Sequence, residues 1–155
     1  MKEERKPLII LLADDDADDR LLVKDAVAEC RWEGDLRCVE DGVDLLDYLK
    51  HRGRHAQPGS APRPALILLD LNMPKKDGRE ALREIKADPD LRRIPVVVLT
   101  TSKADTDVNG LYDIGASSFI SKPVRFDSLV TILQELSRYW FGIVQLPAQP
   151  TGSLG

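Results

Sequence analysis

Four apolar segments of this chain end on residues that can bind a cation or an anion. Asp14 and Asp15 follow LIILLA, Asp70 follows ALILL, Thr100 follows VVVL, and Lys122 follows a shorter apolar stretch. Three carboxylates held together repel one another at neutral pH, so they require a cation or raised pKa values. Mg²⁺ suits such oxygen ligands and bridges to phosphate. These residue types predict phosphoryl transfer, with Asp70 as the nucleophile and Lys122 and Thr100 binding phosphoryl oxygens.

The segments that carry these residues alternate with stretches of helical periodicity. Strands are predicted at 8–13, 36–39, 65–69, 95–99 and 118–121, and helices at 16–30, 43–50, 79–87, 105–114 and 126–139. This alternation predicts an α/β fold, a doubly wound sandwich around a five-stranded parallel sheet with right-handed crossovers. Ligands of such folds bind at the carboxyl ends of the strands, where the candidate residues lie. Asp16 and Asp18 are predicted to cap the first helix or to be solvated.

The composition indicates a globular protein and excludes several functional classes. Hydrophobic residues make up 43% of the chain and charged residues 31%, and no apolar run is long enough to cross a bilayer. The formal charge of −4 disfavours direct nucleic-acid binding, which requires a basic face. The charged start of the chain, without a secretion signal, predicts a cytoplasmic protein. Cys30 and Cys38 form no CxxC pair and are expected to be reduced thiols.

In their order and spacing, these residues resemble the receiver domains of two-component response regulators. Asp14 and Asp15 match the acidic pair that follows the family's first strand. Asp70 matches the phosphoacceptor, within the segment DLNMP and with DG a few residues later. Thr100 matches the switch hydroxyl, and Lys122 with the proline after it matches the family's lysine. Each motif alone is weak, whereas all of them in this order are specific.

The resemblance implies both a fold and a metal site. The fold is the flavodoxin-like, three-layer sandwich with strand order 2-1-3-4-5. The metal is Mg²⁺, held by the side chains of Asp15 and Asp70 and by the backbone carbonyl of Asn72. Asp14 would act on the metal mainly through water.

The function implied by the resemblance is a phosphorylation switch. A sensor histidine kinase would transfer a phosphoryl group to Asp70, Thr100 would move towards that group, and Lys122 would take part in the switch. The ring of Phe119 would then swing inward; this position is often Tyr in the family, and Phe keeps the ring without its hydroxyl. The family also implies a cis bond between Lys122 and Pro123. Beyond acceptance and loss of its own phosphoryl group, no enzymatic activity is expected.

Further segments resemble the small response regulators that pair with bacterial phytochromes. They are the Gly- and Pro-rich loop 53–64, the sequence LNMPKKDG, the strand end VVVLTTS and the tail RYWFGIVQLP. This resemblance implies a bacteriophytochrome as the partner kinase. It also predicts a receiver domain over 1–147 with an aromatic extension from about 139, a flexible tail over 148–155, and no output domain.

Tyr139, Trp140 and Phe141 form an aromatic cluster beyond the last predicted helix. Aromatic residues are enriched at protein interfaces, so the cluster predicts a homodimer that buries the last helix and the tail. A symmetric two-fold contact is the commonest arrangement for such a dimer. The alternative is that the cluster caps the domain's own core.

Two other functions are compatible with the same residues. A pseudo-receiver would keep the fold as a phosphorylation-independent binding module. Such a module does not need a phosphoacceptor or its lysine, so the presence of Asp70 and Lys122 disfavours this function. A Mg²⁺-dependent phosphatase with an aspartyl-phosphate intermediate needs an acid/base two residues after the nucleophile, where this chain has Asn72. A flavodoxin is excluded, because aspartates follow the first strand where an FMN phosphate needs neutral donors. His51 and His55 have a spacing that a metal could use, but the glycine between them predicts ordinary loop residues.

Overall fold

A parallel sheet with strand order β2-β1-β3-β4-β5 forms the centre of the fold, as predicted. Its strands are β1 Ile9–Ala13, β2 Asp35–Val39, β3 Leu66–Leu69, β4 Val96–Thr100 and β5 Ser118–Ser121. The structure, a computed structural model, describes residues 8–32, 34–100 and 108–147. The strand order reverses between β1 and β3. The connection after β1 leads to β2 on one side, and the connection after β3 leads to β4 on the other side. This divergence opens a crevice at the carboxyl edge of the sheet.

The helices lie on both faces of the sheet. They are α1 Ala17–Cys30, α2 Gly42–Lys50, α3 Gly78–Ala87, α4 Val108–Ile114 and α5 Phe126–Arg138, followed by a π-helical turn at Tyr139–Ile143. The predicted start of the fourth helix at 105 and the predicted flexible tail 148–155 lie outside the described residues. In the parts of the chain that the structure describes, no helix has the length and apolarity to cross a membrane.

Aspartates begin three of the helices at the carboxyl edge of the sheet. The side chain of Asp16 accepts hydrogen bonds from the backbone at the start of α1, which confirms its predicted capping role. Asp41 and Asp77 cap α2 and α3 in the same way. Each cap satisfies backbone N–H groups that have no partner within the helix. The caps therefore fix where the helices begin, close to the predicted site.

The central strands are buried on both faces, which explains their continuous apolar sequences. Ile10, Leu12 and Leu68 pack against α1 and α5. Leu11 and Leu69 pack against α2, α3 and α4 on the other face. Truncation of one such leucine to alanine lowers the free energy of unfolding by about 2 to 5 kcal/mol. The packed sheet therefore holds the residues at its edge in place.

Two glycines, one in α2 and one in α3, allow close packing of the loop between β3 and α3. A Cβ atom at Gly78 would lie 2.6 Å from the backbone carbonyl oxygen of Asp70. A Cβ atom at Gly42 would collide with the backbone carbonyl of Lys76. Both positions therefore need glycine for space, and the loop that starts at Asp70 is held between α2 and α3.

Candidate functional site

The acidic site, formed by Asp14, Asp15 and Asp70, lies where β1 and β3 are neighbours. Ala13 of β1 pairs with Leu69 of β3, so the residues that follow the two strands lie side by side. Carboxylate oxygens of the three aspartates come within 4.8 Å of one another. Asp14 and Asp70 are buried, whereas Asp15 is exposed. The structure thus brings together the carboxylates that the sequence predicted to share a cation.

The two oxygens of the Asp70 carboxylate have different surroundings. Oδ1 accepts hydrogen bonds from the backbone N–H of Asn72 at 3.1 Å and from Oγ1 of Thr100 at 3.0 Å. Oδ2 lies 3.6 Å from Nζ of Lys122. The two donors on Oδ1 fix the orientation of the carboxylate, so Oδ2 is the oxygen better placed to attack an electrophile.

Lys122 reaches the site from the end of β5 and is almost completely buried. Its Nζ donates hydrogen bonds to Oδ2 of Asp14 at 2.8 Å and to Oδ2 of Asp19 at 3.3 Å. Its backbone N–H donates to the carbonyl oxygen of Thr100 at 2.9 Å, which joins the ends of β4 and β5. The predicted lysine, hydroxyl and carboxylates therefore share one site.

Negative charge exceeds positive charge in the acidic site. Burial raises the pKa of Asp14, although hydrogen bonds from Lys122 and from the backbone of Asp16 oppose this shift. Burial by itself would lower the pKa of Lys122, but its carboxylate neighbours outweigh burial and raise that pKa. The carboxylates of this cluster outnumber the lysine that contacts them. An all-oxygen cluster with excess negative charge fits a divalent cation such as Mg²⁺ or Mn²⁺.

The predicted switch residue Phe119 lies half-buried against the core formed with α2, α3 and α4. Its backbone N–H donates a hydrogen bond to the hydroxyl of Tyr112 at 3.2 Å. Position 119 is often Tyr in the family and is Phe here, so the hydroxyl of Tyr112 in α4 lies beside a position that lacks its own. The sequence analysis missed Tyr112, because this contact crosses from α4 to β5. The proposed movements of Thr100 and Phe119 stay predictions.

The bond between Lys122 and Pro123 differs from the one implied by the family resemblance. No peptide bond among the described residues is cis, so this bond is trans rather than cis. The trans form of a bond before proline is favoured by about 0.5 to 1 kcal/mol. Lys122 makes its contacts with Asp14 and Asp19 with the bond in this form.

The aromatic cluster beyond α5 divides between two environments. Phe141 packs edge-to-face on Trp32 at 5.9 Å between ring centroids, and Nε1 of Trp32 donates to the carbonyl of Leu133. For Phe141, this contact is the cap that the alternative interpretation predicts. Trp140 is half-buried against the same core as Phe141, and it packs edge-to-face on Tyr139, which is 48% exposed. Tyr139 therefore presents an aromatic surface to solvent.

An apolar groove runs between β5 and α5 and ends at the exposed tyrosine. We call it the α5 groove. Its volume is about 590 Å³, and its lining includes Ile120, Thr131, Ile132, Leu136, Tyr139 and Trp140. The last helix and part of the aromatic cluster thus share one apolar surface.

Two residues of α1 that contact the site were missed by the sequence analysis. Asp19 binds Lys122, and Nη1 of Arg20 donates to the backbone carbonyl of Asp14 at 2.8 Å. The position of Asp19 in the first helical turn after the acidic pair is the signal that could have identified it. Arg20 has no such signal, because it contacts the backbone rather than another side chain.

A second polar cluster, the loop cluster, joins α2 to the long loop before β3. It consists of Asp44, Arg54 and His55, with Nε2 of His55 at 2.8 Å and Nε of Arg54 at 2.9 Å from the Asp44 carboxylate. Burial would raise the pKa of Asp44, but these hydrogen bonds lower it to about 2. His51 instead contacts a backbone carbonyl of the loop at 2.9 Å. The two histidines have separate partners and anchor the loop, in agreement with their interpretation as loop residues.

Comparison with known proteins identifies the family. The model of the response regulator receiver domain matches residues 10–134. Response regulator Rcp1 of Synechocystis sp. (strain ATCC 27184 / PCC 6803 / Kazusa) is 40% identical over 146 residues, which cover 94% of this chain and 97% of Rcp1. The chain therefore belongs to the response-regulator receiver family.

Two solved structures extend this comparison. The Mn²⁺-bound form of Rcp1 matches with a TM-score of 0.81 and 41% identity, over 92% of this chain and 100% of that one. The phosphorylated cyanobacterial phytochrome response regulator RcpA matches with a TM-score of 0.83 and 40% identity, over the same shares. The chain is thus homologous to phytochrome-linked response regulators. Their similarity and the acidic cluster agree with a divalent-metal site at the carboxyl edge of the sheet.

Proposed function

We propose that this response regulator accepts a phosphoryl group on Asp70 from a sensor histidine kinase, in a Mg²⁺-dependent reaction. One observation carries the proposal. The Asp70 carboxylate is fixed through Oδ1 by two donors, while Oδ2 faces Lys122 at 3.6 Å beside two further carboxylates. This arrangement places a nucleophile, a cation and oxygen ligands for a metal around one point.

The residues of the site have distinct roles in the proposed transfer. Oδ2 of Asp70 forms a bond to phosphorus while the bond between phosphorus and the kinase's histidine nitrogen breaks, and the imidazole leaves. Asp15, Asp70 and the backbone carbonyl of Asn72, with Asp14 acting mainly through water, would hold Mg²⁺, which would supply positive charge for the phosphoryl oxygens. The ammonium of Lys122 binds one of these oxygens.

The switch that follows is proposed to begin at the hydroxyl of Thr100. This hydroxyl donates to Oδ1 of Asp70, and a phosphoryl group on the same carboxylate offers it stronger, charged acceptors. Movement of Thr100 towards that group changes the packing at the end of β4. Phe119, in the neighbouring strand β5, is proposed to move inward as a result.

We propose that the chain does not turn over external substrates. Asn72, two residues after Asp70, contributes its backbone N–H to the carboxylate, and an amide side chain cannot exchange a proton as an acid/base. Its reactions are then limited to acceptance and loss of its own phosphoryl group.

The proposed kinase is a bacteriophytochrome. The similarity to the phytochrome response regulator RcpA, at 40% identity over 92% of this chain, supports this partner. A cytoplasmic location is proposed with it, and the free thiols of Cys30 and Cys38 are compatible with a reducing compartment. The formal charge of −4 favours a protein partner over a nucleic acid.

The decisive experiment is phosphorylation by a small donor. The purified chain is incubated with acetyl phosphate and Mg²⁺, and its intact mass is measured. The parent should gain one phosphoryl group, Asp70→Asn should gain none, and the control Asp18→Asn should behave as the parent. A parent chain that gains no phosphoryl group would support a pseudo-receiver, and an acid-stable phosphate on serine or threonine would contradict the assignment to Asp70.

We infer further that the α5 groove and the exposed Tyr139 form the contact of a symmetric homodimer. Tyr139, which lines the groove, is 48% exposed, and Ile143, in the turn after α5, is 64% exposed. Glu135 and Arg138 lie 3.6 Å apart on the exposed face of α5. A two-fold axis beside α5 would bring Glu135 of each copy towards Arg138 of the other. The charges of this face therefore complement those of a second copy.

Light scattering tests this dimer. Tyr139→Arg should convert the dimer to a monomer, because it places a charge in the apolar contact. Leu21→Arg is a matched control, since Leu21 is 56% exposed on α1, away from the groove, and should leave the dimer intact. A parent chain that is monomeric with and without acetyl phosphate would contradict the proposal.

A further inference from the structure

The buried lysine of the site is held by a carboxylate that lies outside the motifs of the sequence. Oδ2 of Asp19 accepts a hydrogen bond from Nζ of Lys122 at 3.3 Å, beside the bond of 2.8 Å to Asp14. We propose that Asp19 is a positioning residue for the phosphoryl-acceptor site and acts through Lys122. The proposal rests on the proposed role of Asp70 as the phosphoacceptor.

The geometry of the ammonium group supports this role. A lysine ammonium has three N–H donors. The bonds to Asp14 and Asp19 use two of them, and Oδ2 of Asp70, at 3.6 Å, is too distant for the third to form a hydrogen bond. A phosphoryl group on that oxygen would extend towards the third donor. With two carboxylates as anchors, the flexible lysine side chain is oriented before the phosphoryl group arrives.

The position of Asp19 in the fold makes it a defined anchor. Its backbone N–H donates to the carboxylate of Asp16, the cap of α1, at 3.2 Å. Its side chain is 33% exposed, so it reaches Lys122 from the rim of the site. Asp18, next to it, has the same charge in the same helical turn, is exposed, and bonds to Asp16 only through its backbone N–H. Asp18 is therefore a matched control for Asp19.

Positioning and simple electrostatics predict opposite results for the variant Asp19→Ala. Removal of a negative charge near an anion site, considered alone, strengthens binding of an anion. Loss of an anchor frees the ammonium of Lys122 and weakens binding. The direction of the change therefore distinguishes the two explanations.

The experiment measures the binding of beryllofluoride, a phosphoryl mimic, by calorimetry at saturating Mg²⁺. Asp19→Ala should bind it about threefold to tenfold more weakly than the parent, the effect of one lost hydrogen bond. Asp19→Asn, which keeps an oxygen acceptor, should recover most of this affinity, and Asp18→Ala should bind as the parent does. A second measurement needs no metal or phosphoryl mimic: acetylation of Lys122 by acetic anhydride, followed by peptide mass spectrometry, should be faster in Asp19→Ala than in Asp18→Ala and the parent.

Equal or tighter beryllofluoride binding by Asp19→Ala relative to Asp18→Ala would overturn the proposal, and so would unchanged acetylation of Lys122. Urea midpoints check that each variant is folded, and Asp19→Ser, also too short to reach Lys122, replaces Asp19→Ala if that variant does not fold. Failure of the proposed function gives a different result, because the parent itself would then neither bind beryllofluoride nor be phosphorylated on Asp70.

Discussion

The acidic site and the loop cluster are built from similar residues, but only the loop cluster has its negative charge balanced by basic partners. In the loop cluster, Arg54 and His55 bind the carboxylate of Asp44, and its pKa falls to about 2. In the acidic site, Lys122 binds Asp14, yet burial keeps the pKa of Asp14 raised. The difference comes first from burial, which is complete at Asp14 and incomplete at Asp44, and then from the neighbours, since Asp44 has two basic partners whereas Asp14 shares one lysine with other acids.

This difference separates a structural cluster from a binding site. The loop cluster is balanced by its own residues, and its contacts hold the long loop on α2. The acidic site keeps unbalanced negative charge at the carboxyl edge of the sheet. A cation that binds in the site removes the unfavourable free energy of this repulsion, and the removal contributes to the affinity for the metal.

The largest expected effect is the loss of metal binding in the acidic site. Asp15→Asn should weaken Mg²⁺ binding by about a hundredfold, equivalent to about 2.7 kcal/mol, because it removes a charged ligand. Asp14→Asn should have a smaller effect, because Asp14 already binds Lys122 and is expected to reach the metal through water. Calorimetric titration measures both affinities. Equal affinity of Asp15→Asn and the parent would refute the ligand assignment.

The next largest effect is on stability, in the loop cluster. Asp44→Ala should lower the free energy of unfolding by about 2 kcal/mol, because it leaves two basic groups without their shared acceptor. Asp47→Ala is the matched control on α2: the ion pair of Asp47 with Arg52 is partly exposed, and its loss should cost less than about 1 kcal/mol. Urea unfolding measures both. Mg²⁺ affinity should stay at the parent value in both variants, and a fall in Asp44→Ala would show that the two clusters are coupled.

The pH dependence of stability should have opposite signs in the two regions. The folded pKa of Asp44 lies near 2, below its ordinary value of 3.8, so its stabilisation is present above pH 4 and lost as the pH falls towards 2. With allowance for solvent screening, this loss is about 1 to 2 kcal/mol. The folded pKa of Asp14 is raised, so its contribution is favourable at low pH and is lost as the pH rises through that pKa.

Urea unfolding over a pH series tests these signs. Asp44→Asn should remove the acid-side loss of stability, and Asp14→Asn should remove a dependence in the opposite direction. If the two substitutions changed the slope of unfolding free energy against pH in the same direction, the charge balance described above would be contradicted.

The smallest expected effect belongs to His55. His55→Gln keeps a hydrogen-bond donor near Asp44 but removes the ring and its edge-to-face contact with Tyr48 at 5.1 Å, so stability should fall by about 1 kcal/mol or less. His55→Ala should cost more, since it also removes the hydrogen bond to Asp44. Thermal unfolding of the two variants gives this comparison. Equal losses would assign the role of His55 to packing of its ring rather than to the hydrogen bond.

The strands and the acidic site could be predicted from the sequence because their signals are local. An apolar run such as ALILL is typical of a strand buried on both faces, and the acid that follows it lies at the edge of the sheet. Contacts between distant elements have no local signal. Tyr112 beside Phe119 and Phe141 against Trp32 depend on how α4 and the segment after α5 pack. The sequence analysis therefore missed the first contact, and it left open whether Phe141 lies at an interface or caps the core.

The sequence by itself determined the fold class, the strand order implied by its family motifs, and the convergence of Asp14, Asp15 and Asp70. Strand periodicity is a property of neighbouring residues, and parallel strands carry their ends to one edge. Only the tertiary structure decided how charge is distributed among the acids. Burial and distances across elements set that distribution, which is why Asp44 is balanced by its loop while Asp14 shares Lys122 with Asp19.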